Sequence, residues 1–126
     1  MTPTVTSPKH SNAETHYQRG LDLLADGSPG DAARAFRAAI DADPAHMEAH
    51  HGLVRALRDA GRLEQAVGAA LALTALTPND PLAHTALSIS LQHAGHIPEA
   101  EAAAARARIL EWKIQLRSPA GEDSQP

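Results

Sequence analysis

Histidines are the side chains of this sequence that could bind a metal ion or transfer a proton near neutral pH. The chain has eight of them and no cysteine, so any metal site would use nitrogen and oxygen ligands. His46 and His50 are four residues apart, a spacing at which two side chains share one helix face and can chelate zinc, nickel or copper. His51, His93 and His96 complete this His-rich centre. One hypothesis is therefore a metal- or pH-responsive module.

Three of the histidines recur at a fixed interval instead of clustering. His16, His50 and His84 follow one another every 34 residues. Neighbouring helices pack roughly 8–10 Å apart, whereas nitrogen sits about 2 Å from zinc, so histidines on successive helices cannot share one ion. His46 is expected to precede the helix that holds His50, and no carboxylate is clearly placed as a third ligand. The sequence therefore predicts structural histidines, with no metal and no cofactor.

Motifs typical of enzymes are missing from the sequence. It has no Gly-rich phosphate loop, no HExxH and no G-x-S-x-G. In the segment from His46 to His50 the glutamate stands in the wrong place for a zinc protease. The other carboxylates are scattered, as on solvated helix faces. We therefore predict a protein that is not an enzyme.

The elements that position these side chains follow from composition and spacing. Hydrophobic residues make up 43% of the chain, yet only three residues are aromatic, and alanine, the best helix former, is abundant. Gly27, Gly61 and Gly95 share the 34-residue period, as do Pro44 and Pro78. Glycine provides the left-handed conformation that ends many helices, and the residue before a proline avoids the α region. The chain is therefore predicted to be all-α, with repeated helix pairs that stack to bury their apolar faces.

The period and its recurring residues resemble the tetratricopeptide repeat (TPR), whose pattern is an aromatic, Leu-Gly, Tyr, Ala, Phe and Pro. The residues at those positions are His16, Arg19, Gly20, Leu23, Ala32, Phe36 and Pro44, then His50, Leu53, Val54, Leu57, Ala66, Ala70 and Pro78, then His84, Leu87, Ser88, Leu91, Ala100, Ala104 and Trp112. Histidine thus replaces the aromatic residue three times, and Trp112 stands where the last proline would fall. The resemblance implies a right-handed α-solenoid of three helix-turn-helix repeats with an extended C-terminal helix.

The repeats predict five segments. They are a disordered tail at 1–12, repeats at 13–46, 47–80 and 81–117, and a disordered tail at 118–126. Within them we expect a helix from Pro29 to about Ala42 and a last helix from Pro98 to about Arg117. Asp80 is predicted to be the N-cap of the third unit, followed by a proline at the first helical position.

In TPR proteins the first helices of successive units line a concave groove that holds a peptide or a partner helix. The resemblance predicts the groove residues Tyr17, Leu21, Leu24, His51, Arg55, Arg58, Thr85, Ile89 and Gln92. Because arginine binds carboxylates in a bidentate manner, we expect a protein or peptide partner with acidic residues between apolar anchors. Alternatively, the two arginines only solubilise this face or pair with Glu48 and Asp59. A ligand gripped by its C-terminal carboxylate is disfavoured, because only these two arginines resemble the set that grips it.

The predicted last helix carries two apolar stripes on nearly opposite faces. The first, expected to pack on the third unit, consists of Ala100, Ala103, Ala104, Ala107, Leu110 and Ile114. The second runs from Ala105 through Ile109 and Trp112 to Leu116, although terminal repeats normally present a polar outer face. It is predicted to be an interface, with another protein or with a second copy in a two-fold homodimer, unless the chain's own tail or curvature of the helix over the second unit covers it.

The charge balance and hydropathy narrow the functional classes. A formal net charge of −4 does not favour nucleic-acid binding. No stretch is long and apolar enough for a membrane helix or a signal peptide, so a cytoplasmic protein is expected. The leading prediction is a non-catalytic scaffold or adaptor that binds its partner in the concave groove. The alternatives are the metal- or pH-responsive module and a homo-oligomerisation unit that acts through the C-terminal helix.

Overall fold

The computed structural model describes residues 8–117, with side chains from Asn12 onward, and folds them into six helices. The helices are α1 (Pro8–Ala25), α2 (Pro29–Ala42), α3 (Met47–Asp59), α4 (Leu63–Leu76), α5 (Pro81–His93) and α6 (Ile97–Arg117). Each helix packs on the next one along the chain, and α3 also contacts both α1 and α5. The helix pairs therefore stack, with the first helix of each pair on one side. The predicted all-α solenoid of three helix pairs is confirmed.

Each helix pair closes through the same glycine turn. Gly27, Gly61 and Gly95 have φ angles of 79°, 77° and 88°, the left-handed region that glycine adopts at little cost. The residue after each glycine donates its N–H to a carbonyl five positions earlier, which satisfies a carbonyl at the helix end. These 2.9 Å bonds join Ser28 to Leu23, Arg62 to Leu57 and His96 to Leu91. The local sequence thus dictates all three turns.

The second and third units begin with equivalent N-caps. Asp80 Oδ1 accepts from the backbone N–H of Leu82 at 3.0 Å, and Pro81 is at the start of α5, as predicted. At the equivalent position in the second unit, His46 Nδ1 accepts from the backbone N–H of Ala49 at 3.0 Å. Both side chains satisfy one of the free N–H groups that every helix start exposes. An imidazole here performs the role usually given to a carboxylate or a hydroxyl.

The first helix includes residues that were expected to belong to the tail. The tail was predicted to reach residue 12, but α1 covers Pro8–Ala25. Residues 1–7 and the predicted tail at 118–126 lie outside the described residues. The expected helix from Pro29 to Ala42 is confirmed, and the last helix begins at Ile97, one residue before the expected Pro98. None of the described helices has the length and hydropathy to cross a membrane.

The core of the first two units is built around one aromatic ring. Phe36 on α2 is fully buried, and its ring lies between Gly20 on α1 and Gly52 on α3. A Cβ atom built on Gly20 would lie 2.5 Å from Phe36 Cε1, and one on Gly52 would lie 2.6 Å from the same atom. Both distances are shorter than van der Waals contact. The two glycines therefore provide the space that lets the ring enter between the helices.

Replacing Gly20 with alanine is expected to lower the free energy of unfolding by about 1–3 kcal/mol, because the new methyl group overpacks against Phe36. Gly68 is a matched control, since it is also inside a helix but has no atom within 4 Å of a built Cβ. Gly68→Ala is expected to raise the free energy of unfolding by about 0.5–1 kcal/mol through helix propensity alone. Urea denaturation measures both, and equal effects of the two substitutions would contradict the packing argument.

One packing prediction for α6 is wrong. Ile114 was expected to pack on the third unit, but its side chain is 47% exposed. The reason is the length of α6, which has 21 residues where α4 has 14. Leu110 is the last buried residue among those the structure describes, and residues 111–117 are all exposed. These residues extend beyond the part of α6 that packs on α5.

Candidate concave binding groove

A shallow cavity of about 270 Å³ lies between α1 and α3. Its lining residues are Tyr17, Leu21, Leu24, Glu48, His51, Gly52 and Arg55. Five of the nine predicted groove residues therefore come together here. Glu48 and Gly52 were missed, although Glu48 lies one turn before His51 on the same face of α3, a signal that the sequence contains. Gly52 contributes no side chain, which leaves room beside the aromatic and aliphatic side chains of α1.

Three side chains of α1 form the apolar end of this groove. Tyr17 is half-buried, with its ring centroid 5.9 Å from that of Phe36 and 4.9 Å from that of His46. Burial raises the pKa of Tyr17, and the carboxylates of Glu48 and Glu14 raise it further, so the phenol stays neutral. Leu21 and Leu24 continue the same face one and two turns later. The groove thus offers apolar surface held in place by the core.

The two arginines of α3 differ in their surroundings. Arg55 pairs with Asp59 at 3.6 Å between Nε and Oδ2, and both side chains are largely exposed. The alternative that these arginines only pair with neighbours therefore holds for Arg55, although exposed pairs contribute little stability. Arg58 Nε is buried and has no hydrogen-bond partner among the described residues. A buried donor left unpaired costs about 1–3 kcal/mol. Because Nε itself is buried, the Arg58 side chain must shift before the acceptor of a ligand can reach it.

Burial of Arg58 also affects its charge. Desolvation lowers the pKa of Arg58, Asp59 raises it, and Arg55 lowers it. Arginine remains protonated at any physiological pH even so. α3 therefore carries a fixed, partly desolvated cation one turn beyond the cavity, and such a cation interacts with a carboxylate more strongly than one in bulk water does.

The structure places the third-unit residues apart from the cavity between α1 and α3. Thr85 and Ile89 are half-buried on α5, and Gln92 is exposed. Gln92 lines a separate cavity of about 180 Å³ with residues of α5 and α6, including Ser88 and Glu101. The contribution of these three residues, and of Arg58, to one continuous groove stays a prediction.

His51 is the groove residue whose altered pKa bears on the pH dependence near neutrality. Burial lowers the pKa of His51 below the ordinary 6.5. The carboxylate of Asp80 raises this pKa in part, His50 lowers it further, and Glu48 raises it. The unfolded chain therefore binds a proton at His51 at a higher pH than the folded chain does. As pH falls below about 6.5, the unfolded state gains this proton first and the folded state loses relative stability. Above that pH His51 is neutral in both states and contributes nothing to the pH dependence.

The pH dependence of stability is expected to include this contribution. Between about pH 7.5 and pH 5.5 the wild-type chain should lose more free energy of unfolding than the His51→Gln variant does. Urea denaturation at the two pH values measures both losses, and the other titrating groups cancel in the comparison. Equal losses in the two proteins would show that the folded environment leaves the pKa of His51 unchanged.

The remaining histidines with described contacts serve the fold. His46 is buried, and because its Nδ1 accepts from Ala49, its Nε2 carries the proton and points to Glu14 Oε1 at 3.2 Å. His50 Nε2 donates to the carbonyl of Pro44 at 2.8 Å, and His84 Nε2 repeats this bond with Pro78 at 2.8 Å. The structural interpretation of His50 and His84 is therefore confirmed.

His16 and His96 lie in different environments from each other. His16 is half-buried and lines a cavity of about 360 Å³ between α1 and α2. His96 Nε2 lies 2.8 Å from Glu64 Oε2, an ion pair when the imidazole is protonated. Within the part of the chain that the structure describes, no three His, Asp or Glu side chains meet as metal ligands. The geometry of the described histidines thus favours hydrogen bonding over chelation.

The predicted C-terminal interface is on the surface of α6. Ile109, Trp112 and Leu116, called the α6 stripe below, are 45%, 60% and 61% exposed. Trp112 also borders a cavity of about 480 Å³ along the side of the helix. These three residues lie on one face within little more than two turns. They form an apolar surface without a described partner in this chain.

Comparisons with known proteins agree with this architecture. The family model described as Tetratricopeptide repeat matches residues 17–81. No curated protein matches the chain. A solved structure of MamA is similar, with a TM-score of 0.77 and 20% identity over 85% of this chain and 58% of that one. This chain spans about three fifths of the length of that protein.

Two further solved structures hold peptides. The second TPR of Spaghetti (RPAP3), bound to the HSP90 peptide SRMEEVD, has a TM-score of 0.71 and 18% identity over 79% of this chain and 92% of that one. The Yersinia enterocolitica type III secretion chaperone SycD, in complex with a peptide of the translocator YopD, has a TM-score of 0.73 and 20% identity over 79% of this chain and 76% of that one. At these identities the likeness is one of fold.

Proposed function

Because this chain belongs to the tetratricopeptide repeat family, we propose that it is a non-catalytic scaffold or adaptor that binds a segment of a partner protein along α1, α3 and α5. Two proteins of similar fold support this proposal, since RPAP3 and SycD have been solved with peptides bound. The proposal includes a cytoplasmic location, supported by the lack of cysteine.

The observation that carries the proposal is the combination of an apolar cavity with a partly buried cation, Arg58, on the next turn of α3. Tyr17, Leu21 and Leu24 offer apolar surface at one end, and Arg55 lines the same cavity. Arg58, one turn further along α3, keeps a buried Nε–H that has no acceptor in the described chain. A ligand that gains from both features has apolar side chains followed by a carboxylate. We therefore assign the partner segment to the acidic, amphipathic class.

Selection from a library of displayed peptides against the immobilised chain tests this assignment. Enriched peptides are expected to combine large apolar residues with Asp or Glu and to compete with one another for one site. A free C-terminus should not be required, because the groove lacks the larger cationic set that grips a terminal carboxylate. Enrichment of basic peptides, or of peptides that bind independently of one another, would overturn the proposed ligand class.

The alternatives have separate support. His51 gives the pH-responsive alternative one specific observation, because a carboxylate bound beside it would raise its pKa and couple binding to proton uptake. The α6 stripe supports a second interface, either with another copy of this chain or with a different protein. The charges that border the stripe bear on that choice.

A further inference from the structure

The C-terminal part of α6, residues 106–117, combines exposed apolar side chains with four cations. The exposed cations of this region are Arg106, Arg108, Lys113 and Arg117. At about 100° per residue, three of them project on one side of the α6 stripe and Arg108 projects on the other. The stripe is thus bordered by positive charge on both sides.

These cations have no carboxylate partner within the described chain. The ion pairs formed by residues 12–117 involve none of the four, and the guanidinium Nε of Arg117 contacts the backbone carbonyl of Lys113 at 3.5 Å. Lys113 and Arg117 instead line a cavity of about 410 Å³ together with Leu110, Leu116 and Asn79. Apolar and cationic groups therefore border the same open space.

The charge of residues 106–117 is opposite to that of the rest of the chain. These residues include four cationic residues and one anionic residue, Glu111, which gives a net charge of +3. Because the whole chain carries −4, the remainder carries −7. A large anionic surface such as an acidic membrane would attract this end of α6 but repel the rest of the chain. A protein segment can place its carboxylates at this end of α6 alone.

A second copy of this chain is a poorer occupant for the same reason. Two-fold pairing of one α6 stripe on another sets the cationic border of each helix against the same border of its partner. Like charges across an interface are destabilising, and the single Glu111 does not balance the four cations. The occupant that fits is apolar in the middle and anionic at both edges.

The surface of α6 on which a further repeat would pack differs from the corresponding surfaces of α2 and α4, on which the next repeat does pack. The position occupied by the buried Ala33 in α2 and the buried Val67 in α4 is Glu101 in α6, which is exposed. A charged residue there ends the stack, as expected for a terminal repeat. The α6 stripe is therefore not the surface on which a further repeat would pack.

From these observations we propose that the α6 stripe and its cationic border form a second docking site, which binds an acidic amphipathic helix of a partner protein. Trp112 is its apolar anchor, and Arg106, Lys113 and Arg117 pair with carboxylates of the partner. The site does not depend on the concave groove, and the two surfaces can hold two segments at once.

Trp112 is the only tryptophan of the chain and therefore reports on this site directly. The probe is a synthetic helical peptide with leucines along one face and glutamates on both borders, and its control has lysines in place of the glutamates. The acidic peptide is expected to shift the emission of Trp112 to shorter wavelength, with an affinity that falls as salt rises. The basic peptide should leave the emission unchanged.

Charge reversal distinguishes specific binding of the acidic peptide from nonspecific binding. The triple variant Arg106→Glu, Lys113→Glu and Arg117→Glu should bind the acidic peptide at least about tenfold more weakly and should gain affinity for the basic one. All three residues are exposed, so circular dichroism should find the fold unchanged. The double variant Arg55→Glu and Arg58→Glu should respond to the acidic peptide as the wild type does, which separates this site from the groove.

Three outcomes would overturn the proposal. The first is an equal response to the acidic and basic peptides. The second is a Trp112 shift with vesicles of phosphatidylserine and phosphatidylcholine but none with the acidic peptide, which would assign the site to membranes. The third is a dimer in light scattering that Trp112→Ala abolishes, without a response to either peptide, which would assign the stripe to self-association.

Discussion

Phe36→Ala is expected to lower the free energy of unfolding by about 3–5 kcal/mol, the largest effect that we expect from any single substitution in this chain. The Phe36 ring is fully buried, and it occupies the space left by Gly20 and Gly52 between α1 and α3. Neither glycine has a side chain that could move into the vacated volume, so the cavity should persist. A domain of this size has about 5–15 kcal/mol of stability, and the loss is therefore a large part of the total.

Trp112→Ala is the matched control for this prediction. It also removes a large aromatic side chain, but Trp112 is 60% exposed on α6. Its removal should change the free energy of unfolding by less than about 0.5 kcal/mol, as for most surface positions. Urea denaturation followed by far-UV circular dichroism compares the two variants. Similar losses would contradict the assignment of Phe36 to the core and of Trp112 to an interface.

The second large effect is expected on binding. Arg58→Glu should weaken the binding of the selected acidic peptides by about 2–5 kcal/mol, since it removes the partner of a desolvated carboxylate and adds repulsion. At about 1.4 kcal/mol for each factor of ten, this is at least a thirtyfold loss of affinity. Isothermal titration calorimetry with a peptide from the selection measures it. Because the glutamate carboxylate would lie near the buried position of Nε, far-UV circular dichroism must show an intact fold before the loss of affinity is assigned to the groove.

Arg37→Glu is the control for a general change in charge. Arg37 is exposed on α2, away from the concave groove, where it donates to Gln65 Oε1 at 3.2 Å. This variant has the same net charge as Arg58→Glu and should bind the peptide within about a factor of two of the wild type. Equal weakening by the two variants would mean that net charge, and not the groove, governs binding.

Most of the features of the fold that could be predicted from the sequence are determined by residues close together in the chain. The 34-residue recurrence of Gly27, Gly61 and Gly95 located the turns, because glycine adopts positive φ wherever it is placed. Asp80 was recognised as an N-cap since its side chain acts on a backbone N–H two residues away. Such devices depend on neighbours in the chain, and for that reason a single sequence is enough to find them.

Features that depend on distant residues were not accessible in the same way. The space that Gly20 and Gly52 leave for the Phe36 ring depends on residues from three helices. Nothing in the spacing of the two glycines along the chain indicates it. Ile114 fits the packing stripe of α6, but periodicity does not tell where the neighbouring helices end. The N-cap role of His46 was also missed, because histidine is not among the residues that usually occupy that position.

In the candidate site, too, some features could be predicted from the sequence and others depend on distant residues. The resemblance to the TPR family indicated the concave face, and five of the predicted residues line one cavity. The unsatisfied Nε of Arg58 could not be foreseen, because it depends on how the folded chain buries a side chain of α3. The lowered pKa of His51 has the same origin, since it follows chiefly from burial.

The central claim is that the concave side of α1, α3 and α5 binds the partner segment, and amide chemical shifts test it most directly. The isotope-labelled full chain is titrated with a peptide from the selection, and shift changes are mapped onto the helices. The largest changes are expected around Leu21, His51 and Arg58, with small changes in α2 and α4. Changes concentrated in α2 and α4, with α1 and α3 unaffected, would contradict the claim.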